Sequence, residues 1–250
     1  MNTDIDINKR AELLKDVPTP CFVTDELLLK RNLEILKGVS DRTGAEILLA
    51  QKAFSMFSLY PLIGKYLAGT TASGLFEAKL GYEYMKKENH IFSPAYKTEE
   101  FDEIVRICDH IVFNSFNQWE KFKGSLSGKS AGIRINPEYS TQKHGIYDPC
   151  AEFSRLGVTR ANFPDKLPAG IDGLHFHTLC EQNSDDLEET LYAVEEKFGR
   201  YFNDINYINF GGGHHITRAD YNISKLESCI NRIKDKYGLQ VYLEPGEAVV

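Results

Sequence analysis

Short apolar segments alternate with helical segments along most of the chain. The apolar segments have the length of buried strands, and the segments between them have the spacing and polar starts of helices. Strand and helix alternation at this spacing predicts parallel strands joined by right-handed crossovers. The eight predicted strands are residues 46–52, 69–73, 90–95, 110–115, 131–136, 173–178, 206–210 and 240–244.

Eight strand–helix units favour a closed α/β architecture, the (β/α)8 or TIM-like barrel. An open, doubly wound sheet is the alternative, but eight units fit closure better. Asn183 and Asn222 suit the N-caps of the last two helices. The predicted helices between the strands are residues 74–87, 99–106, 116–123, 185–198 and 223–237.

The first 25 residues do not fit the repeat. We predict a short amphipathic helix around residues 11–15, a strand at 21–24, and Asp25 as the N-cap of a helix at 26–38. The strand at 21–24 has no obvious partner within the barrel. We therefore divide the chain into an N-terminal lead, 1–25, and a barrel, 26–250.

The chain stops at Val250, directly after the eighth predicted strand. A covering helix for that strand would be missing, and its apolar face would be exposed to water. We expect a further domain in a longer protein, one that pairs with the strand at 21–24.

Composition is that of a globular protein, with 42% hydrophobic and 26% charged residues. The net charge of −7 excludes a broad basic surface for nucleic acid. Five scattered cysteines without a CxxC pair indicate reduced thiols. Because no apolar segment approaches the length of a signal core or a membrane helix, we expect a cytoplasmic protein.

Barrel active sites lie at the carboxyl ends of the strands, and Lys52 occupies that end of the first strand. Lysine is rarely buried unless it is paired. Lys52 is therefore either the first polar residue after the strand, pointing to water, or an amine in a drier pocket with a lowered pKa. The second arrangement would allow a Schiff base with a carbonyl compound.

Gly211, Gly212 and Gly213 follow the seventh strand directly. Backbone N–H groups of such a loop can approach an anion closely, usually a phosphate. A tight turn between a strand and a helix explains three glycines equally well.

Other candidate groups at strand ends are Arg134, His175, His177 and Glu244. The two histidines could form a metal-binding pair with His214 or His215. No acidic residue lies at metal spacing in the same segment, so we predict stacking or hydrogen-bonding roles and no metal. Glu244 precedes a Pro-Gly turn and could simply be exposed to solvent.

Taken together, these groups fit one ligand. A lysine can bond an aldehyde, a glycine loop can hold a phosphate, an imidazole can stack on an aromatic ring, and a carboxylate can keep a ring nitrogen protonated. The predicted cofactor is pyridoxal 5'-phosphate (PLP).

Seven segments carry a resemblance to the fold-type III PLP enzymes, the alanine racemase-like barrel group of ornithine, arginine and diaminopimelate decarboxylases. Within it the chain most resembles the carboxynorspermidine decarboxylases. The segments occur in the same order over nearly the whole chain: LLAQKAF at 48–54, RINPE at 134–138, YDPC at 147–150, SRLG at 154–157, LHFHTLCEQ at 174–182, NFGGGHH at 209–215 and EPGEA at 244–248.

The resemblance implies a role for each matching position. Lys52 matches the Schiff-base lysine, and His177 matches the histidine that stacks on the PLP ring. The glycines 211–213 match the phosphate loop, Glu244 matches the carboxylate at the pyridine nitrogen, and Arg134 matches a strand arginine near the cofactor. It also implies a homodimer and a C-terminal β domain that completes the site.

One position departs from the pattern of the group. Basic amino acid decarboxylases there have Glu-Pro-Gly-Arg, whereas this chain has Glu247 as the fourth residue. A carboxylate cannot bind phosphate but can pair with a substrate ammonium. The expected substrate is a cationic carboxylated polyamine, carboxynorspermidine or carboxyspermidine, which loses its α-carboxylate as CO2.

Three other functions are compatible with the sequence. The first is another PLP barrel enzyme, either a diaminopimelate, ornithine or arginine decarboxylase or an amino acid racemase. The second is a truncated PLP-binding pseudoenzyme. The third is a metal-dependent barrel hydrolase built on the histidines.

Overall fold

Eight parallel strands close into a barrel, as the sequence predicts, and an open sheet is excluded. The computed structural model describes residues 7–250, with side chains from residue 11. Neighbouring strands pair in the order β4-β3-β2-β1-β9-β8-β7-β5, and β4 pairs with β5 to close the ring. The strands are β1 Glu46–Ala50, β2 Gly69–Ala72, β3 Glu88–Phe92, β4 His110–Phe113, β5 Ser130–Asn136, β6 Val158–Thr159, β7 Gly173–His175, β8 Tyr207–Asn209 and β9 Gln240–Leu243. The two-residue strand β6 pairs with β5 outside the ring.

Helices alternate with the strands and begin at the predicted caps. The Asp25 side chain accepts hydrogen bonds from the N–H groups of Leu27 and Leu28, and Asn183 and Asn222 cap the last two helices. No helix among residues 7–250 is long and apolar enough to cross a membrane. The helices are α1 Ile7–Leu14, α2 Glu26–Thr43, α3 Tyr60–Ile63, α4 Leu75–Leu80, α5 Thr98–Ile107, α6 Phe116–Phe122, α7 Ser184–Phe198 and α8 Ile223–Tyr237.

Several predicted boundaries are wrong. The first strand ends at Ala50 rather than at residue 52, because the N–H of Ala53 bonds to the Ala50 carbonyl at 3.0 Å and closes a turn around Lys52. The helix predicted at 74–87 is interrupted by a π-helical turn, Gly81–Met85. A Cβ atom at Gly81 would lie 2.3 Å from the Thr70 hydroxyl, so this turn packs tightly against β2.

Residues 21–24 form no strand with any other described residue, so their predicted pairing with a further domain stays a prediction. Phe22 is 98% exposed and Val23 is 57% exposed. Residues 7–250 therefore do not bury the apolar side chains of this segment. Residues 1–6 of the predicted lead lie outside the described residues.

The barrel lumen is filled by side chains from alternate residues of each strand. At its amino-terminal end the Tyr207 ring reaches across to β5 and β7, where Gly132 and Gly173 leave room for it. A Cβ atom at Gly173 would lie 2.1 Å from that ring, and one at Gly132 would lie 2.4 Å from its hydroxyl. These two glycines therefore serve packing.

Candidate active site

A cavity of about 340 Å³ opens at the carboxyl ends of the barrel strands. Lys52, Arg134, His175, His177 and Glu244 all line it. The structure thus brings together five of the candidate site residues, which come from β1, β5, β7 and β9 or the segments that follow them. The long connection between β5 and β7 contributes Tyr147, Pro149 and Leu156 to the wall.

Lys52 combines features of both sequence interpretations. Its side chain lines the cavity, yet the residue is exposed, because it lies in the turn after β1 rather than within the strand. The drier pocket expected around the amine is not formed within the described residues. What the fold does establish is position: β1 pairs with β9, and so Lys52 and Glu244 follow adjacent strands of the barrel.

Glu244 is buried at 8% exposure, which contradicts the solvent-exposed alternative. Its Oε1 accepts a hydrogen bond from the Asn209 amide at 2.8 Å, and its Oε2 lies 3.3 Å from His175 Nε2. Burial raises the pKa of Glu244, but the His175 and Asn209 interactions outweigh it and hold that pKa below its usual value. Burial lowers the pKa of His175, so a neutral ring donates its Nε2 proton to an ionised Glu244.

His177 is held by two backbone interactions. The N–H of Gly212 donates to its Nδ1 at 3.2 Å, and Arg134 Nη2 donates to its carbonyl at 3.2 Å. Burial and the nearby cations Lys52 and Arg134 keep the pKa of His177 well below its usual value. The ring is therefore neutral, and its proton is on Nε2 because Nδ1 accepts a hydrogen bond.

Arg134 is nearly buried and packs over an aromatic ring. Its guanidinium carbon lies 4.7 Å from the centre of the Phe92 ring, a cation–π arrangement. Burial lowers the pKa of Arg134 to about 10, which leaves the side chain charged at neutral pH. The cavity thus holds a fixed positive charge opposite the Glu244 carboxylate.

None of the three glycines lines the cavity, but their loop packs against His177 and Leu179, which do, and it only partly resembles an open anion nest. Gly211 and Gly213 have φ of 71° and 82°, a backbone conformation that favours glycine. The N–H of Gly211 bonds to Asn209 Oδ1 at 2.8 Å, and that of Gly212 bonds to His177. Among the described residues, only the Gly213 N–H of the three has no hydrogen-bond partner.

Glu247 is half-buried in the turn that follows Glu244, but it does not line the cavity. Its charge acts on the thiol of Cys180, which does line the cavity. Burial raises the pKa of Cys180, and the charges of Glu181 and Glu247 raise it further. The Lys52 charge lowers the same pKa, so carboxylates and an ammonium both act at this end of the cavity.

Sequence reasoning missed the roles of Asn209 and Phe92 and underrated His175. Asn209 belongs to the same lumen-facing series as Tyr207, two residues earlier, and this alternation was the available signal. His175 is in register with Asn209 on the neighbouring strand. Phe92 was recognisable only as an apolar strand residue.

Metal binding by the predicted histidines finds no support in the described part of the chain. No group of three or more ligand atoms suited to a metal ion includes His175, His177, His214 or His215. One such group occurs elsewhere in the barrel. The metal-dependent hydrolase hypothesis, which required convergence of these histidines, is therefore dropped.

Known proteins match the chain over nearly all its length. No family model matches it. A carboxynorspermidine/carboxyspermidine decarboxylase of Campylobacter jejuni is 45% identical over 233 residues, which are 93% of this chain and 61% of the relative. A carboxyaminopropylagmatine decarboxylase of Synechocystis is 39% identical and matches 94% of this chain and 62% of its own length. The chain thus spans about three fifths of these curated relatives.

Solved structures agree with the sequence matches. The carboxynorspermidine decarboxylase of Campylobacter jejuni, complexed with norspermidine, superposes with a TM-score of 0.87 at 44% identity, over 93% of this chain and 61% of that chain. Diaminopimelate decarboxylase of Helicobacter pylori, complexed with L-lysine, has a TM-score of 0.82 at 17% identity, over 96% of this chain and 66% of that chain, and shows the fold alone. The chain therefore has the (β/α)8 barrel of the alanine racemase-like decarboxylases, and over more than nine-tenths of its length it is similar to carboxynorspermidine decarboxylases.

Proposed function

We propose that the chain is the cofactor-binding barrel of a PLP-dependent decarboxylase acting on carboxynorspermidine or carboxyspermidine, with norspermidine or spermidine as product. The observation that carries the proposal is that Lys52 and Glu244 line one cavity from adjacent strands. An amine and a buried carboxylate are the two groups that PLP chemistry requires at the aldehyde and at the ring nitrogen. The 45% identity to a decarboxylase of this substrate class supports the assignment.

The residues present fit the cofactor. When bound, PLP supplies an electron sink for the pair of electrons left by the departing carboxylate. The Lys52 amine would hold its aldehyde, and Glu244, kept ionised by Asn209 and His175, would hold a proton on the ring nitrogen. His177 would present a neutral flat ring, because its Nδ1 is already engaged by Gly212.

Phosphate binding would use the free Gly213 N–H and the positive charge of Arg134. The N–H groups of Gly211 and Gly212 serve instead to shape the loop, through Asn209 and His177. We therefore propose that one glycine contacts the phosphate directly and that the other two position the loop. A side chain at Gly212 would also fill the space beside His177, since a Cβ atom there would lie 3.2 Å from its Cε1.

Substrate selection would depend on the carboxylates near Cys180. Glu247 is the proposed contact for a substrate ammonium, since its charge already acts on Cys180 at the cavity wall. Carboxyaminopropylagmatine is a second candidate substrate, because a relative named for it is 39% identical. Competition of both candidate substrates for the same protein would rank them.

The alternatives on this fold differ in their products. A diaminopimelate, ornithine or arginine decarboxylase would release CO2 from the amino acid, and a racemase would invert it without CO2 release. A truncated PLP-binding pseudoenzyme would bind the cofactor and turn over none of these substrates. Product analysis with each substrate therefore separates the alternatives from the proposed activity.

Assembly and location follow from the same resemblance. We propose a homodimer and a cytoplasmic protein, in keeping with five cysteines that are all free thiols. We further propose that residues 26–250 are the PLP-binding barrel and that the exposed segment around Phe22 pairs with a further domain of the whole protein. Sedimentation analysis of the chain with and without PLP would test the dimer.

The decisive experiment locates the covalent linkage to PLP. The protein is incubated with PLP, its absorbance spectrum is recorded, and borohydride reduction followed by peptide mass mapping identifies the labelled lysine. Label on Lys52 is expected, and it should disappear in Lys52→Ala but persist in Lys65→Ala, which alters an exposed lysine of another segment. Label on a different residue, or none, would refute the assignment.

A further inference from the structure

A second polar cluster lies at the amino-terminal end of the barrel, opposite the cavity. Glu88 and His110 are the first residues of β3 and β4, and His90 is paired in register with His110. Each of the three offers one ligand atom, and these atoms all lie within 4.8 Å of one another. Among the described residues this is the group with the spacing and chemistry of a metal site.

The cluster contains buried nitrogen atoms that no protein group satisfies. His90 is 1% exposed, and its Nδ1 has no hydrogen-bond partner within the described chain; the buried Nδ1 of His110 has none either. Buried polar atoms are nearly always paired, and an unpaired one indicates strain, a water molecule or an ion. His90 meets the Glu88 carboxylate through Nε2, and the unpaired Nδ1 of His110 leaves that ring with a nitrogen free to bind a cation beside them.

We propose that Glu88, His90 and His110 bind a divalent transition-metal ion of the Zn²⁺ class. Two histidines and one carboxylate form a ligand set that zinc uses, with a water molecule in the fourth position. His90 Nε2 and Glu88 Oε2 are 3.2 Å apart. Zinc bonds of about 2.0–2.1 Å in a tetrahedral site place two ligand atoms about 3.3 Å apart, so this edge of the site is already formed.

The third ligand requires a side-chain rotation. The centres of the His90 and His110 rings are 4.1 Å apart, and the ring planes differ by 11°. Rings stacked in this way cannot both direct a nitrogen at one ion within their planes. His110 is only half-buried and can turn at the open end of the barrel. The Tyr242 ring packs beside the cluster, with its centre 4.8 Å from that of His90 and 5.5 Å from that of His110, where it can help to orient the two ligands.

The consequence of metal binding would be structural. The ion would join β3 to β4 at the end of the barrel where residues serve stability rather than catalysis. The inference is independent of the proposed function, because none of the three ligands lines the cavity.

Cobalt provides a direct probe. Co²⁺ titration of the 250-residue protein, followed by its visible absorption bands, should show one tetrahedral or five-coordinate site per chain, with Zn²⁺ displacing the colour. Glu88→Gln and His110→Asn should each weaken binding at least about tenfold. The matched controls Glu99→Gln and His144→Asn alter exposed residues outside the cluster and should bind as the unaltered chain does.

A second measurement, the thermal unfolding temperature with and without Zn²⁺, keeps the test decisive if a variant folds poorly. Zn²⁺ should raise the Tm of the unaltered protein and of His177→Asn, but not that of Glu88→Gln or His110→Asn. Absence of the cobalt bands, equal affinity in the cluster variants, or loss of binding in His177→Asn instead would each overturn the proposal.

Discussion

Asn209 donates from its side-chain amide to Glu244 Oε1 at 2.8 Å, deep in the carboxyl-terminal half of the barrel. The same side chain accepts the N–H of Gly211 through Oδ1, also at 2.8 Å. One fully buried amide therefore fixes both the carboxylate and the start of the glycine loop. Because both of its polar atoms are used, Asn209 couples the position of one proposed cofactor contact to that of another.

Asn209→Asp should disrupt the hydrogen bond to Glu244 and the position of the glycine loop. A second carboxylate beside Glu244 would raise the pKa of Glu244, since like charges oppose ionisation. We expect PLP affinity to fall at least about tenfold, the change that corresponds to one pKa unit. PLP absorbance titration measures this. Asn206→Asp, at an exposed position on the same segment, is the control. Unchanged affinity in Asn209→Asp would contradict the proposed role of Glu244.

A matched pair of glycines separates backbone strain from steric contact. Gly213 and Gly238 both have positive φ, at 82° and 70°, so alanine costs about 1 kcal/mol at either through the backbone. A Cβ atom at Gly213 would lie 2.1 Å from the Leu179 carbonyl oxygen, whereas one at Gly238 would meet nothing within 4 Å.

Gly213→Ala should therefore lose about 1–3 kcal/mol more unfolding free energy than Gly238→Ala, as overpacked sites do. It should also weaken PLP binding, which Gly238→Ala should leave intact. Urea unfolding and PLP titration are the measurements. Equal losses in the two variants would show that the loop relaxes around the added methyl group.

Acid should destabilise the protein through His214. This ring is fully buried, and burial lowers its pKa to about 4, below the value of about 6.5 in an unfolded chain. The unfolded state therefore takes up a proton that the folded state does not. The contribution of neutral His214 to the free energy of unfolding is complete above about pH 6.5. It is lost as the pH falls toward 4, at up to about 1.4 kcal/mol per pH unit.

His214→Gln removes the titrating group, so its unfolding free energy should change less between about pH 7 and about pH 5 than that of the unaltered protein. Urea unfolding at several pH values measures the slope. His144→Asn, at an exposed loop position, should keep the original slope. An unchanged pH dependence in His214→Gln would show that His214 is not the group responsible.

Glu247 should contribute to polyamine affinity. Glu247→Gln should weaken norspermidine binding to the PLP-loaded protein by about fivefold, the scale of a partly exposed ion pair. The effect should diminish with added salt. Isothermal calorimetry would measure it, with Glu99→Gln as the control at a distant exposed carboxylate. If Glu247→Gln binds norspermidine as well as Glu99→Gln does, the proposed contact is absent.

Local patterns predicted most of the architecture. The alternation of apolar and helical segments predicted eight strands and closure, and Asp25, Asn183 and Asn222 were recognised as caps because a cap depends only on the next few residues. Strand ends were placed less accurately. At Lys52 the chain turns through a backbone bond between Ala53 and Ala50, which no periodicity reveals.

The sequence by itself indicated eight parallel strands, favoured closure over an open sheet, and placed Lys52, His177 and Glu244 at carboxyl ends of strands, because strand direction follows from the alternation of strands and helices. Only the tertiary structure decided the hydrogen-bond partners of Glu244 and the exposure of Lys52. It also decided the meeting of Glu88, His90 and His110 at the opposite end. Such contacts depend on the register between strands and on which side chains share the lumen. Both depend on interactions between residues that are far apart in the chain, which local sequence patterns do not reveal.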